Sequence, residues 1–516
     1  DSGVQKLLLT LSEDGYYFCR VDSVAIQWNG DSTQVDLTVH LYEGERLILK
    51  ELEIAGVPLE ETDQETFRLT RMGKPLFAAA LQADLWELLR QQEEAGHPFA
   101  RLDVKRLGLQ NDSLTLAAKL ISGPRATVEA VRVQGVKHTK PKVIAREARL
   151  VPGAAFSPNR IEKAKQRIKK LPFIEEISEP ALVPLGEDRY DLLFNVKEAR
   201  SNSFDGVIGY QPSGQGNKSQ ITGMINLSFL NLFGTARQAR IEWQRYSETW
   251  QALELFYEEP WVAGFPVNLW GEFRQEILDT LYLTREIAGG ASWRALDVLT
   301  LKGSLFQEEI LPDSAGRSYL GLYRSRSLGG AVELEYDTRD VPANPTKGIY
   351  YRSYVSAAQK EYEPAANQAF LDVHKYESDL NWSQRIVGRQ ILNLQLYGRI
   401  LESDEKPIPI TDLYRLGGAQ SLRGYREDQF LGSIIAWSSL EYRLWLDKLS
   451  RLYAFFSLGY YEHEPADAPK IQHYPWSYGF GFRQGTRLGI IGFDFALGEN
   501  DVLATAKVHF RLINQF

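Results

Sequence analysis

Apolar and polar positions change rhythm near residue 200 of the 516-residue chain. Upstream, helix-spaced and strand-spaced patterns take turns. Leu81, Leu85, Leu88 and Leu89 stand at helical spacing and predict an amphipathic helix with one buried stripe. Ser157-Pro158 reads as an N-cap followed by proline at the first helical position. Ile161, Ala164 and Ile168 supply the stripe of that helix, which ends near Leu171-Pro172. From about residue 203 the period is two, as in strands with a different environment on each face. Ala239, Ile241 and Trp243 alternate with Arg240, Glu242 and Gln244. Val267, Leu269 and Phe273 alternate with Asn268, Glu272 and Arg274, and Val508, Phe510 and Leu512 with Lys507, His509 and Arg511. Turn signals intervene at Asn231-Leu232-Phe233-Gly234, Glu259-Pro260, Asn344-Pro345 and Gly498-Glu499-Asn500-Asp501. At roughly 20 residues per strand plus turn, the region predicts about 16 antiparallel strands. A membrane barrel and a soluble multi-sheet β domain both alternate in this way, so pattern alone leaves the two open.

The upstream part repeats itself, which is the sign of stacked units. Gly44-Glu45-Arg46 leads into Leu47, Leu49, Leu52, Ile54 and Gly56-Val57; 79 positions on, Gly123-Pro124-Arg125 leads into Ala126, Val128, Val131, Val133 and Gly135-Val136. Gly15 to Val21 likewise matches Gly96 to Leu102. Each unit reads strand, two helices, strand, strand, over residues 46–123 and 124–200. Residues 1–45 form a partial unit without an opening strand or first helix. The expectation is that the chain starts inside a repeat, with more protein upstream.

Composition narrows the function. With 44% hydrophobic and 24% charged residues, the chain has material for a large core and is not disordered. Its 59 Lys+Arg against 67 Asp+Glu give a net charge of −8, which argues against nucleic acid as a partner. The single cysteine, Cys19, excludes an intramolecular disulfide framework and reads as a small buried residue. No run approaches the ~18 apolar residues of a spanning helix, which leaves a β-barrel open. In a barrel, the 25 Tyr and 11 Trp would form interfacial girdles. The seven histidines lack paired-ligand spacing, and no nucleophile elbow, P-loop or dinucleotide fingerprint occurs. The expectation is therefore no catalytic residues, no metal and no cofactor.

Five motifs in order carry a resemblance. Leu416-Gly417-Gly418 followed by Ser421-Leu422-Arg423-Gly424-Tyr425 resembles the Arg-Gly-Phe/Tyr motif of the outer-membrane assembly and secretion superfamily. That superfamily, with BamA-like and TamA-like members, joins periplasmic POTRA repeats to a 16-stranded barrel. Tyr336-Asp337-Thr338-Arg339-Asp340 with Pro345-Thr346-Lys347-Gly348 is similar to its mid-barrel segment. Asn231 to Gly234 resembles an early barrel turn, Gly479 to Arg483 through Phe493-Asp494 its penultimate strands, and Phe516 its terminal residue. The upstream repeats resemble POTRA domains. The implied fold is a membrane β-barrel over 201–516, preceded by α+β POTRA repeats, in the outer membrane of a Gram-negative bacterium.

The resemblance places the loop bearing Leu422, Arg423, Gly424 and Tyr425 in the barrel lumen, where an arginine needs a partner. The family's usual Asp lies in a Phe-x-Asp-x-Gly stretch, which here reads Phe455-Phe456-Ser457-Leu458-Gly459. Ser457 supplies no countercharge. Glu441, on the side opposite Leu440, Tyr442 and Leu444, is the candidate replacement; carbonyls and water are the alternative. If Arg423 and Glu441 pair, reversing both charges should restore what either reversal loses. Function would lie at the seam between a first strand near Phe204–Gln211 and a last near Leu503–Leu512. Gly206 and Gly209, flanking Val207, either weaken that seam against Val508 and Phe510 or merely curve the strand. The implied partners are unfolded outer-membrane β-barrel proteins, outer-membrane lipids, and periplasmic or lipoprotein accessory subunits. Two whole repeats and part of a third, without a plug helix, point to an assembly factor. The alternatives are a two-partner-secretion transporter and a passive porin.

Overall fold

A computed structural model describes residues 2–28, 35–56, 69–211, 220–247, 250–278, 281–363, 370–465, 468–486 and 489–513. It divides into two compact units, Asp1–Glu198 and Ala199–Phe516.

In the first unit, the two larger sheets each have helices packed against an apolar face. Strand Thr127–Gln134 lies parallel to Arg189–Glu198, which also pairs antiparallel with Ile174–Ile177. Helices Pro141–Ala148 and Pro158–Lys169 supply Val143, Ile144, Ile161, Ala164 and Ile168 to the core. Ser157 caps the second helix, its Oγ accepting from Arg160 N at 3.3 Å. The preceding sheet pairs Ile48–Ala55 parallel with Ser113–Ile121, and Arg101–Gln110 antiparallel with the latter. Helix Ala78–Glu94 buries Leu88 against Ile54 and Leu120. The other helix expected in 46–123 would fall largely on residues 57–68, outside the described residues. Before it come helix Ser2–Glu13 and the hairpin Arg20–Trp28/Val35–Tyr42.

Successive sheets are joined by the same device. Leu47 N–H donates to the Gly15 carbonyl at 3.0 Å, and Ala126 N–H to that of Gly96 at 2.8 Å. At each joint the earlier segment also caps the next helix. Tyr17 Oη accepts from Ala78 N at 2.7 Å, and Glu94 accepts from Ser157 Oγ at 2.6 Å and Asn159 N at 2.9 Å.

The second unit is built on one antiparallel sheet of 17 strands, Asn202–Gln211 to Lys507–Ile513. Ile471–His473 is only a three-residue flap, because Arg451–His463 pairs directly with Trp476–Thr486 beyond it. Sixteen long strands therefore form the wall. Alternation sorts their faces as the pattern demands: Leu305, Leu328, Val332 and Leu440 are exposed outward, whereas Glu441 and Arg443 are buried. This outward belt of large apolar side chains suits a lipid surround. The lower end of the barrel is here the one at which residue 202 begins.

Both end strands differ from their expected bounds. The first starts at Asn202 rather than Phe204. The last starts at Lys507 rather than Leu503, because Leu503–Thr505 forms a 3-10 turn. Asp501 holds that turn by accepting from Gly498 N, Thr505 Oγ and Lys507 Nζ. Gly206, Val207 and Gly209 pair with Ile225, Met224 and Thr222 in the first ladder; the surroundings of the Val207 side chain lie outside what is described, as does Phe516. Val508 and Phe510 pair with Phe495 and Phe493 and are exposed. Among the described residues, no ladder joins the first strand to the last.

Candidate functional site

The segment between strands Gln390–Ser403 and Ile434–Trp445 is the chain's long upper loop. Its root is a short hairpin, Tyr414–Leu416 with Phe430–Gly432. Leu422 and Tyr425 pack with Leu416 and Ile435 into a buried apolar knot, which draws the tip inward. Gly424 makes the tip possible. Its φ is +91°, and a Cβ there would stand 3.0 Å from both Gly498 N and Ser477 Cβ, so side chains are excluded by backbone and by space. The tip is held by Tyr425 Oη, which donates to the Trp476 carbonyl at 2.8 Å and accepts from Glu499 N at 3.2 Å. Gly424 N–H lies 3.4 Å from His509 Nε2 on the last strand.

The knot delivers Arg423 to the lumen, where it is 6% exposed. Its Nη2 donates to Glu441 Oε1 at 2.8 Å and to Ser439 Oγ at 2.6 Å. Its Nη1 is 3.5 Å from Asp494 Oδ1, and its guanidinium lies 3.7 Å from the ring centroid of Phe455. Of the two partners considered from sequence, Glu441 is in direct contact. Ser457 is one bond removed, donating to Ser439 Oγ at 3.1 Å.

The cluster is larger than that pair. Glu441 Oε2 accepts from Arg443 at 2.7 Å, and Arg443 Nη2 donates to Asn393 Oδ1 at 2.6 Å. Asp494 accepts from Arg483 Nη2 at 2.8 Å and from Tyr453 Oη. The chemistry is anchoring: guanidinium groups between shared, buried carboxylates fix orientation as well as adding energy. Removing one member strands a buried charge.

Sequence reasoning missed Asp494, Arg483 and Ser439. Asp494 and Arg483 stood inside recognised motifs, and their inward parity was available. Gly481 was a further signal. It pairs with both Tyr453 and Asp494, and a Cβ there would meet Tyr453 Cζ at 2.7 Å. The glycine opens the gap through which the phenol reaches the carboxylate.

A family model for the Omp85 superfamily domain matches residues 231–516, and the POTRA model, described as a surface antigen variable number repeat, matches 126–199. The outer membrane protein assembly factor BamA of Neisseria meningitidis is 24% identical over 274 residues, covering 52% of this chain and 33% of that protein. The chain thus spans about a third of that relative's length. The crystal structure of BamA from Haemophilus ducreyi lacking POTRA domains 1-3 is similar in fold, with a TM-score of 0.62 at 16% identity over 90% of this chain and 98% of that one. CdiB from Acinetobacter baumannii superposes with a TM-score of 0.51 at 11% identity, over 90% and 88% of the two chains. With more than half of its length matched, the chain belongs to the Omp85 superfamily, as an outer-membrane β-barrel with POTRA architecture on the periplasmic side.

Proposed function

We propose that this protein is an outer-membrane assembly factor that folds and inserts β-barrel clients, with the Arg423 network holding the lumen loop against the strands near the seam. Residues 1–45, 46–123 and 124–200 serve as a partial and two whole POTRA domains that receive clients, and 201–516 is the barrel. The observation that carries the reading is the buried Arg423–Glu441 anchor, which ties the lumen loop to the late strands beside the seam. A sheet edge that comes free at a seam is a template for an incoming strand. Gly206 and Gly209 weaken the first strand, and Val508 and Phe510 stand on the opposing edge. Clients are unfolded outer-membrane proteins; lipids and accessory subunits act alongside, and no catalytic step, metal or cofactor enters.

A second reading is export of a dedicated protein through the lumen. A polar cavity of about 1,090 Å³, lined by Glu242, Arg274, Glu286, Glu308 and Arg415 among others, favours it. In-cell photocrosslinking from Val207 in the full-length protein separates the two. Capture of several different barrel proteins supports insertion. Capture of one secreted protein, matched by crosslinks from Glu441, makes the chain an export channel.

A further inference from the structure

The lower turn between strands Arg324–Asp337 and Gly348–Glu363 does not stay with its own strands. Asn344, 0% exposed, donates from Nδ2 to the carbonyls of Asp447 at 2.8 Å and Ser450 at 3.0 Å. Those residues belong to the turn before strand Arg451–His463. Strands Leu371–Val387 and Gln390–Ser403 separate the two turns in the sheet, so the 338–347 turn reaches past their lower ends. Ser450 extends the contact: its Oγ accepts from Gly485 N at 3.0 Å and Gln484 Nε2 at 3.2 Å. Asp340 braces the turn by accepting from Thr346 N at 2.9 Å and from Thr346 Oγ1.

Arg451 explains why the turn is needed. On its strand, Tyr453 and Phe455 face inward and are buried, while Leu452 is exposed, so Arg451 has inward parity. Among the described residues no carboxylate lies within ion-pair distance of it. Its Nη1 donates instead to the Ala343 carbonyl at 3.1 Å and to Asn344 Oδ1 at 3.3 Å. Its guanidinium is 5.5 Å from the Tyr453 ring, which also receives Arg483 at 5.2 Å and Arg423 at 5.7 Å.

We infer that the 338–347 turn is a floor to the lumen and that Asn344 is a positioning residue: through Arg451 and Tyr453 it holds the Arg423 anchor in place and the lower end closed. A cation held only by neutral acceptors loses its place when those acceptors go. Contiguity alone does not establish coupling, so the test is a double-mutant cycle. The inference rests on the reading of Arg423 as the loop's anchor, and the arms below keep the two apart.

Asn344→Ala, Arg423→Ala and the double variant would be compared in the full chain, in planar bilayers. Folding is checked by the shift in gel mobility on heating. Asn344→Ala is expected to raise open-state occupancy about tenfold, and to raise trypsin cleavage at Arg423 and Arg426, while the folded band persists. The double variant should open little further than Arg423→Ala. Asn344→Asp keeps an acceptor for Arg451 and should recover part of the closure. If Arg423→Ala opens the channel and Asn344→Ala leaves occupancy and cleavage at wild-type values, the floor is passive and the inference fails. If Arg423→Ala itself changes nothing, the anchor reading fails first.

Discussion

Two walls of one barrel treat the same residue types differently. On the late wall, Glu441, Arg443, Arg483 and Asp494 are all 5% exposed or less and share partners with Arg423. On the early wall, Glu242, Glu254 and Glu272 pair with Arg240 and Arg274, yet their side chains remain 20–29% exposed. The early wall faces the lumen cavity, whereas the late wall is covered by the loop tip. The lesson is that inward polarity is common to both walls, but only the late wall excludes water enough to turn ion pairs into an anchor. Charges that keep their hydration contribute little when paired; charges that lose it become costly to separate.

The largest effect expected from breaking this contrast is at Glu441. Glu441→Ala leaves Arg423 and Arg443 without their shared carboxylate, at a cost of about 3–5 kcal/mol. The measurement is the thermal unfolding midpoint in detergent, together with trypsin cleavage within 417–430. A midpoint within error of wild type would remove the late wall's special status. Exchanging the charges at 423 and 441 is now expected to rescue little, because the new Arg at 441 would face Arg443 and the new Glu at 423 would face Asp494. Tyr425→Phe comes next. It removes a donor to Trp476 O and an acceptor for Glu499 N, at about 1 kcal/mol, and should loosen the tip without unfolding the barrel. Hydrogen exchange at 417–430 reads it directly; unchanged protection would mean that the apolar knot alone holds the tip.

Much of this contrast is legible in the sequence. The barrel was legible because strand parity is a local property: Leu440, Tyr442 and Leu444 against Glu441 and Arg443 require only period two. Glu441 was found as a partner of Arg423 for the same reason. Asp494 and Arg483 were not, because depth within the lumen depends on register across several strands. Tyr453 meets Asp494 only because both pair with Gly481, and no single strand encodes that alignment. The floor was invisible for a related reason: Asn344-Pro345 announces a turn, but not that its amide will cap a turn about 100 residues away. The last strand's start was misplaced because Leu503 fits the apolar rhythm while Asp501 gathers the backbone into a turn.

A carboxylate outside the membrane supplies an intermediate case. Glu198, at the end of the first unit, accepts from the backbone N–H groups of Lys137, His138 and Thr139. Partial burial pushes its pKa up, but these bonds and the Thr139 side chain outweigh that and bring it from 4.5 down to about 2. Because the folded value is the lower one, its stabilisation is complete above about 4.5 and is lost as pH falls toward about 2. The group is still partly open to solvent, so screening limits the gain to about 1 kcal/mol. Protection of residues 137–148 against hydrogen exchange should fall over that pH range in the full chain, and be low and pH-independent in Glu198→Gln. Equal pH dependence in the two would assign the effect elsewhere.

The smallest effect belongs to the early wall, and it is the sharpest test of the comparison. Glu242→Ala breaks the 3.1 Å pair with Arg240. Arg240 keeps Glu254 at 2.8 Å and stays 40% exposed, so water and a second carboxylate both remain to it. The expected change is below about 0.5 kcal/mol, which salt should shrink further. If instead Glu242→Ala matched the loss in Glu441→Ala, hydration would not separate the walls. Register along the whole lumen, rather than the covering loop, would then be what makes its charges matter.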